Sequence, residues 1–167
     1  LSEDDAKVIE RIIGKSLDCG LDTSTANKVW PGLIGEFPIM LCSQYDEKLV
    51  NKIKFPAFVQ KKEDGMRFNA IIRNGQVEFR SRNGKLISLL GNLDTEFLNL
   101  ASNECVYDGE LLVMRDGKIL DRKTGNGILN RANKGTISKE DASGVIAVIW
   151  DCIPLEDFNR GKCEIPY

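Results

Sequence analysis

The run Lys62-Glu63-Asp64-Gly65-Met66-Arg67 gathers a primary amine, two carboxylates and a guanidinium around one tight turn. Asp64-Gly65 allows a sharp reversal, with Gly65 able to supply a positive φ where the turn requires one. A lysine attacks a phosphorus or carbonyl centre only as the neutral amine, and its ordinary pKa is about 10.4. Bringing that value to neutrality costs on the order of 5 kcal/mol, at roughly 1.4 kcal/mol per unit. Burial or a neighbouring cation achieves such shifts, and Arg67 is the candidate cation for Lys62. The same six residues also read as an ordinary charged turn, and the pattern by itself leaves both readings open.

Two later segments add to it. Ser81-Arg82-Asn83-Gly84 follows a strand-like run and is expected to bring a second guanidinium near the first. The rigid fork of arginine suits phosphate oxygens or a ribose edge. Asp108-Gly109-Glu110-Leu111 runs into apolar residues, where a carboxylate is a candidate for ribose hydroxyls or for Mg²⁺, which prefers oxygen ligands. Each segment taken alone is also a solvated loop. The chain has no histidine, which removes imidazole acid–base chemistry and His-ligated metals together. Its five cysteines are odd in number and lack zinc-ligand spacing, so they read as reduced structural thiols. Any catalysis here falls to Lys, Asp, Glu, Arg or Cys.

The elements that must position these groups can be read from periodicity. The 167 residues suffice for one well-packed domain. Residues 2–19 predict a helix, opened by Ser2 with Asp5 three residues on and closed by Gly20. A second helix is expected from Thr23 or Ser24 to just before Pro31-Gly32. Strands are expected over residues 57–60, 67–72, 76–81, 106–114, 118–120 and 145–152, with hairpin turns at Asn74-Gly75 and Asp116-Gly117. Residues 95–100 read as a helix on the sheet. The sum is an α+β chain built on antiparallel strands. No run approaches the roughly 20 apolar residues of a membrane span, and nothing reads as a signal peptide, so the expectation is a cytoplasmic protein.

In their order, Lys-x-Asp-Gly-x-Arg from Lys62, Ser-Arg-x-Gly from Ser81 and Asp-Gly-Glu-Leu from Asp108 resemble the covalent nucleotidyltransferases. That group comprises DNA ligases, RNA ligases and messenger-RNA capping guanylyltransferases. The likeness extends more specifically to the ATP-dependent DNA ligases of T-even bacteriophages. It is seen in Ala26-Asn27-Lys28-Val29-Trp30-Pro31-Gly32-Leu33-Ile34, in Ile53-Lys54-Phe55-Pro56-Ala57-Phe58, in Lys134-Gly135-Thr136-Ile137-Ser138 and in Trp150-Asp151. The resemblance implies an antiparallel-sheet, ATP-grasp-like adenylation domain in residues 37–167, preceded in residues 1–36 by the tail of a helical DNA-binding region. It also implies ATP and Mg²⁺ as cofactors and nicked double-stranded DNA as partner. The protein would act as a monomer in DNA repair, replication and recombination, in the host cytoplasm if the source is viral.

Residue by residue, the resemblance implies that Lys62 attacks the α-phosphorus of ATP and holds AMP. Gln60, Lys61, Arg67 and Arg82 would contact the nucleotide, Glu110 would bind the ribose and lie at the metal, and Trp150 would stack on adenine. A core tryptophan is the other reading of Trp150. For DNA, Arg122, Lys123, Arg131 and Lys134 form a basic cluster around Thr124-Gly125-Asn126-Gly127, whose Gly and Thr donors suit backbone phosphates, with a solvated loop as the other reading. Asn27 and Lys28, placed at a helix start, are a second phosphate candidate. Against DNA stands a whole-chain charge of −2. The chain starts at Leu1 and ends at Tyr167, ahead of a glutamate strand, an α-phosphate lysine and a small barrel that the family carries next, so a fragment is expected. An RNA ligase or capping enzyme, and a non-catalytic DNA-binding fragment, are the competing readings.

Overall fold

A computed structural model describes residues 2–13, 23–33, 37, 39, 41–101 and 103–165. The chain divides into two compact units, Leu1–Glu36 and Phe37–Tyr167. Among the described residues, no helix is long and apolar enough to cross a membrane.

In the first unit, α1 (Glu3–Ile13) begins as its sequence dictates. The Ser2 hydroxyl accepts the Asp5 N–H at 3.1 Å, and the Asp5 carboxylate accepts the Ser2 N–H at 2.8 Å. These reciprocal bonds satisfy amides that a helix start leaves open. They also hold the Asp5 carboxyl below its usual range, the bond from the Ser2 amide contributing most. The expected continuation to residue 19 and the Gly20 cap lie outside the described residues. The second helix, α2 (Thr23–Val29), carries Lys28 in its last turn. Asn27 and Lys28 therefore sit toward the end of a helix and not at its start, where amides would face a phosphate. A helix end presents carbonyls, so that argument for anion binding does not apply to them.

The second unit is a five-stranded antiparallel sheet of β1 (Met66–Arg73), β2 (Gln76–Ser81), β3 (Cys105–Arg115), β4 (Lys118–Ile119) and β5 (Val145–Pro154). β1 lies between β2 and β3, β4 folds back on the end of β3, and β5 pairs along β3. Asn74 and Gly75, at φ 50° and 69°, make the first hairpin turn, and Asp116 and Gly117, at 50° and 72°, make the second. Both are left-handed pairs that match strand twist, as the sequence predicts.

Alternation along the strands gives the sheet two different faces. Phe68, Ala70 and Ile72 of β1, Leu111 and Val113 of β3 and Val145 of β5 enter one core beneath α4 (Asp94–Leu100) and α5 (Arg122–Asn133). Phe97 of α4 is its centre, with ring centroids 5.3 Å from Phe79, 5.8 Å from Phe68 and 5.5 Å from Tyr107 in edge-on contacts. A smaller cluster joins Val106, Leu155 and Phe158 to Phe37, Ile71 and Ile153. Its helix α7 (Leu155–Arg160) sets Phe158 at 5.4 Å from Phe37. The four described cysteines are free, and burial pushes the Cys152 thiol up to about 11.

Two expectations are corrected. Residues 57–60 lie outside any strand. Phe58 and Val59 are exposed there, and β propensity needs a half-buried pleated surface to act on. The segment Thr124-Gly125-Asn126-Gly127, for which a solvated loop is one reading of the sequence, lies within the helix α5: the Asp121 carboxylate caps the Thr124 N–H at 3.1 Å, and Ile128, Leu129 and Ala132 are buried. Two short helices, α3 (Glu47–Val50) and α6 (Lys139–Ser143), carry too little periodicity to be read from sequence.

Phe97→Ala is expected to cost about 3–5 kcal/mol, because the cavity would open among three aromatic rings. Exposed Leu98→Ala should stay within about 0.5 kcal/mol. Urea midpoints of the two variants against the parent chain check the assignment of the core.

Candidate active site

Lys62 lies in the irregular segment that leads into β1, exposed, with its Nζ 3.4 Å from the Glu63 carbonyl oxygen. Its neighbour Lys61 is paired with Glu63 at 3.1 Å. Three residues beyond Lys62, the Gly65 N–H donates to Oε1 of Glu110 at 3.0 Å, joining positions 45 apart in the chain. The approach is close. A Cβ on Gly65 would stand 2.0 Å from the Leu111 carbonyl oxygen and 2.7 Å from the Leu112 side chain. Gly65 is thus required for the contact with β3, while its φ is not among the positive ones.

Cross-strand register places the remaining groups. Arg67 stands opposite Glu110, and Asn69 opposite Asp108, on the face turned away from the aromatic core. From there Arg67 reaches diagonally to Asp108, with Nε at 3.0 Å from Oδ1 and Nη2 at 2.5 Å from Oδ2. Both side chains are more than four-fifths buried. This two-pronged bond to Asp108 is the main reason the Arg67 guanidinium holds its proton more tightly than usual. The register of β3 and β5 breaks between Asp108 and Gly109, which face Asp151 and Ile149, so Trp150 is the extra residue of a β-bulge. Its ring centroid lies 5.9 Å from the Arg67 guanidinium carbon. Gly109 is needed at the bulge, since a Cβ there would come within 2.3 Å of the Val148 carbonyl oxygen.

Glu110 is buried. Burial raises its carboxyl above the ordinary carboxylate range, and Asp64 adds to this. The Gly65 amide and the charges of Lys62 and Arg67 offset part of it. Among the described residues, no three His, Cys, Asp or Glu side chains converge as a metal site of their own. A single buried carboxylate fits Mg²⁺, which is usually held by one or two carboxylates together with substrate phosphates and water.

The structure therefore brings Lys62, Arg67, Glu110 and Trp150 to one end of the sheet, and it adds Asp108, to which sequence reasoning gave no role. Arg82 is exposed in the turn after β2, and among the described residues it makes no ion pair. Arg80 is the arginine that braces this turn, bonding the Gly84 carbonyl at 2.8 Å and Glu78 at 2.7 Å. Gln60 is exposed outside any strand. Of the basic cluster, Arg122 pairs with Asp64 at 3.0 Å, which ties the start of α5 to the turn beyond Lys62. Arg131 shares Asp141 with Arg115, each at 2.5 Å, and the bond from Arg131 is the largest cause of the lowered Asp141 carboxyl. Lys123 and Lys134 are exposed on the same helix and at its cap.

Glu110→Gln separates the charge from the hydrogen bond, since the amide oxygen can still accept the Gly65 N–H. A carboxyl whose folded pKa is raised favours the folded state while protonated, and this contribution is lost as pH rises through the folded pKa. The variant is therefore expected to melt above the parent chain at neutral pH, with the gap closing as pH falls toward about 4. Thermal midpoints across that range decide the point, and a lower midpoint for the variant at neutral pH would refute it.

Comparison with known proteins gives consistent results. Residues 39–162 match the family model described as ATP dependent DNA ligase domain. The DNA ligases of Enterobacteria phage T4 and Enterobacteria phage T6 are each 37% identical to this chain over 92% of its length. The chain spans about two fifths, 39%, of the length of these relatives. A solved structure named Pmar-Lig_Pre. is 27% identical with a TM-score of 0.56, covering 90% of this chain and 34% of that one.

Proposed function

Since this chain belongs to the ATP-dependent DNA ligase domain family, we propose that it is the nucleotide-binding part of a nick-sealing enzyme in which Lys62 carries AMP. The observation that carries this reading is the 3.0 Å bond from the Gly65 amide to Glu110. It ties the turn that follows Lys62 to Glu110, a buried carboxylate of the polar sheet face, which supports a shared site for the two.

On this reading the neutral Lys62 amine attacks the α-phosphorus of ATP. A nitrogen–phosphorus bond forms, the bond to the bridging oxygen breaks, pyrophosphate leaves, and the amine proton passes to solvent. A 5′-phosphate oxygen at a nick then attacks the AMP phosphorus and returns the lysine as an amine. The 3′-hydroxyl finally attacks the 5′-phosphorus and expels AMP. Each step gathers negative charge on phosphate oxygens, which guanidinium donors stabilise, and none needs an imidazole. Glu110 is suited to the ribose hydroxyls and to Mg²⁺, which when bound would supply charge neutralisation to the phosphates.

Trp150 is raised on the bulge and only partly buried, which supports a stacking surface for adenine. Gln60 and Lys61 are exposed just ahead of the Lys62 motif and Arg82 is exposed within the Ser81 motif, and they are assigned to the nucleotide. Lys123 and Lys134, with the outer edges of Arg122 and Arg131, form a stripe along α5 suited to the phosphates of duplex DNA. The protein works as a monomer on nicked duplex. Asn27 and Lys28 remain DNA contacts through charge and side-chain donors, without help from a helix dipole.

Incubation with α-labelled ATP and Mg²⁺, followed by a denaturing gel, tests the first step. An acid-labile, hydroxylamine-sensitive label is expected on the parent chain and none on Lys62→Ala. A label that survives in Lys62→Ala would assign the nucleophile elsewhere, and no label on the parent chain would remove self-adenylation from this chain.

A further inference from the structure

Among the described residues of the polar face, Asp108 has partners on both carboxylate oxygens. Oδ1 accepts Nε of Arg67 at 3.0 Å and Oδ2 accepts Nη2 at 2.5 Å, in a site from which solvent is largely excluded. Glu110, by contrast, has one oxygen engaged by the Gly65 amide. A metal ion or a ribose hydroxyl needs a carboxylate oxygen that it can share, and the geometry separates the two acids on that criterion.

Arginine is long and has many rotamers, and its donors are useful only when the fork is held in one plane. Here β3 supplies the clamp. Asp108 lies two positions before Glu110, which faces Arg67 directly, so the two side chains meet along the sheet diagonal. The same contact holds the guanidinium 5.9 Å from the Trp150 centroid, over the bulge.

We propose that Asp108 is a positioning residue: it fixes the plane and place of Arg67 beside Trp150, and so sets where that cation meets the phosphates of a bound nucleotide. This rests on the proposed reading of the site as a nucleotide pocket. The clamp also alters the electrostatics, because the pair is neutral together. Arg67 then acts chiefly as an oriented hydrogen-bond donor.

A double-mutant cycle on the labelling rate tests it. Arg67→Ala and Asp108→Ala are each expected to slow labelling, on the order of a hundredfold for a displaced phosphate contact. The double variant should be no slower than Arg67→Ala alone, and the Mg²⁺ concentration for half-maximal rate should be the same in Asp108→Ala as in the parent chain. Asp108→Asn, which keeps the shape and one acceptor oxygen, should recover part of the rate. Losses that add in the double variant, or a shifted Mg²⁺ requirement, would overturn the proposal. A readout without turnover is the indole emission of Trp150 in a Trp30→Phe background. Asp108→Ala, Arg67→Ala and the double variant should share one altered spectrum, and an unchanged spectrum in Asp108→Ala would overturn the clamp. If the parent chain takes no label, the nucleotide chemistry fails separately and the emission series still decides the role of Asp108.

Discussion

The backbone amide of Gly65 bonded to the buried carboxylate of Glu110 is the contact around which the polar face is organised. The amide belongs to the turn that carries Lys62, and the carboxylate belongs to the central strand of the sheet. The bond carries the pairing of β1 with β3, which starts at Met66, one residue back into that turn. The bond forms only because Gly65 has no side chain, since a Cβ would strike the Leu111 carbonyl. Burial lifts the Glu110 carboxyl above its ordinary range, and the bond from the Gly65 amide offsets part of that rise. Burial of a charge is tolerated where nearby donors and cations offset it, and Lys62, Arg67 and the amide provide that here.

The two sides of the sheet are unlike in what holds them. On one, Phe68, Phe79, Phe97 and Leu111 bury an aromatic and aliphatic core beneath α4 and α5. On the other, an apolar end under α7 gives way to Arg67, Asn69, Asp108 and Glu110. Rigidity on the first side fixes the backbone from which the second side projects its polar groups. Glu110 and Asp108 flank Gly109 on β3, and their side chains are held by Gly65, just ahead of β1, and by Arg67 on β1. Small displacements of functional groups matter for phosphoryl transfer, so a site carried by paired strands is better determined than one carried by loops.

Much of the sheet was legible from residue order. Asn74-Gly75 and Asp116-Gly117 name their turns, and alternation names the strands on either side. Residues 57–60 show the limit of that reasoning, because Phe58 and Val59 have the right types for a strand but remain exposed. The helix α5 was hidden by Gly125 and Gly127, which lower helix propensity, although Asp121 and Thr124 form its cap. At the site, Lys62, Arg67 and Glu110 are singled out by the order of their motifs and the family resemblance that this order carries, not by any one motif alone. The partnership of Arg67 with Asp108 is not singled out in this way, since it depends on which residues of β1 and β3 face each other across 41 positions of chain. Ion pairs on Arg122 and Arg131 were likewise invisible, and they turn part of an apparent basic cluster into struts between elements.

The bulge at Trp150 also changes the phase of β5. Before it, Val145 and Ala147 face the larger core; beyond it, Ile153 belongs to the smaller cluster on the opposite face. One odd-numbered series thus serves both sides of the sheet, which a regular strand with its period of two does not allow. The indole is the spacer that shifts one half of the strand against the other. The spacing from Val145 to Ile153 is therefore as constrained as its composition. Removing a single residue at the bulge would send Ile153 toward the wrong face while leaving every side chain type in the strand suitable.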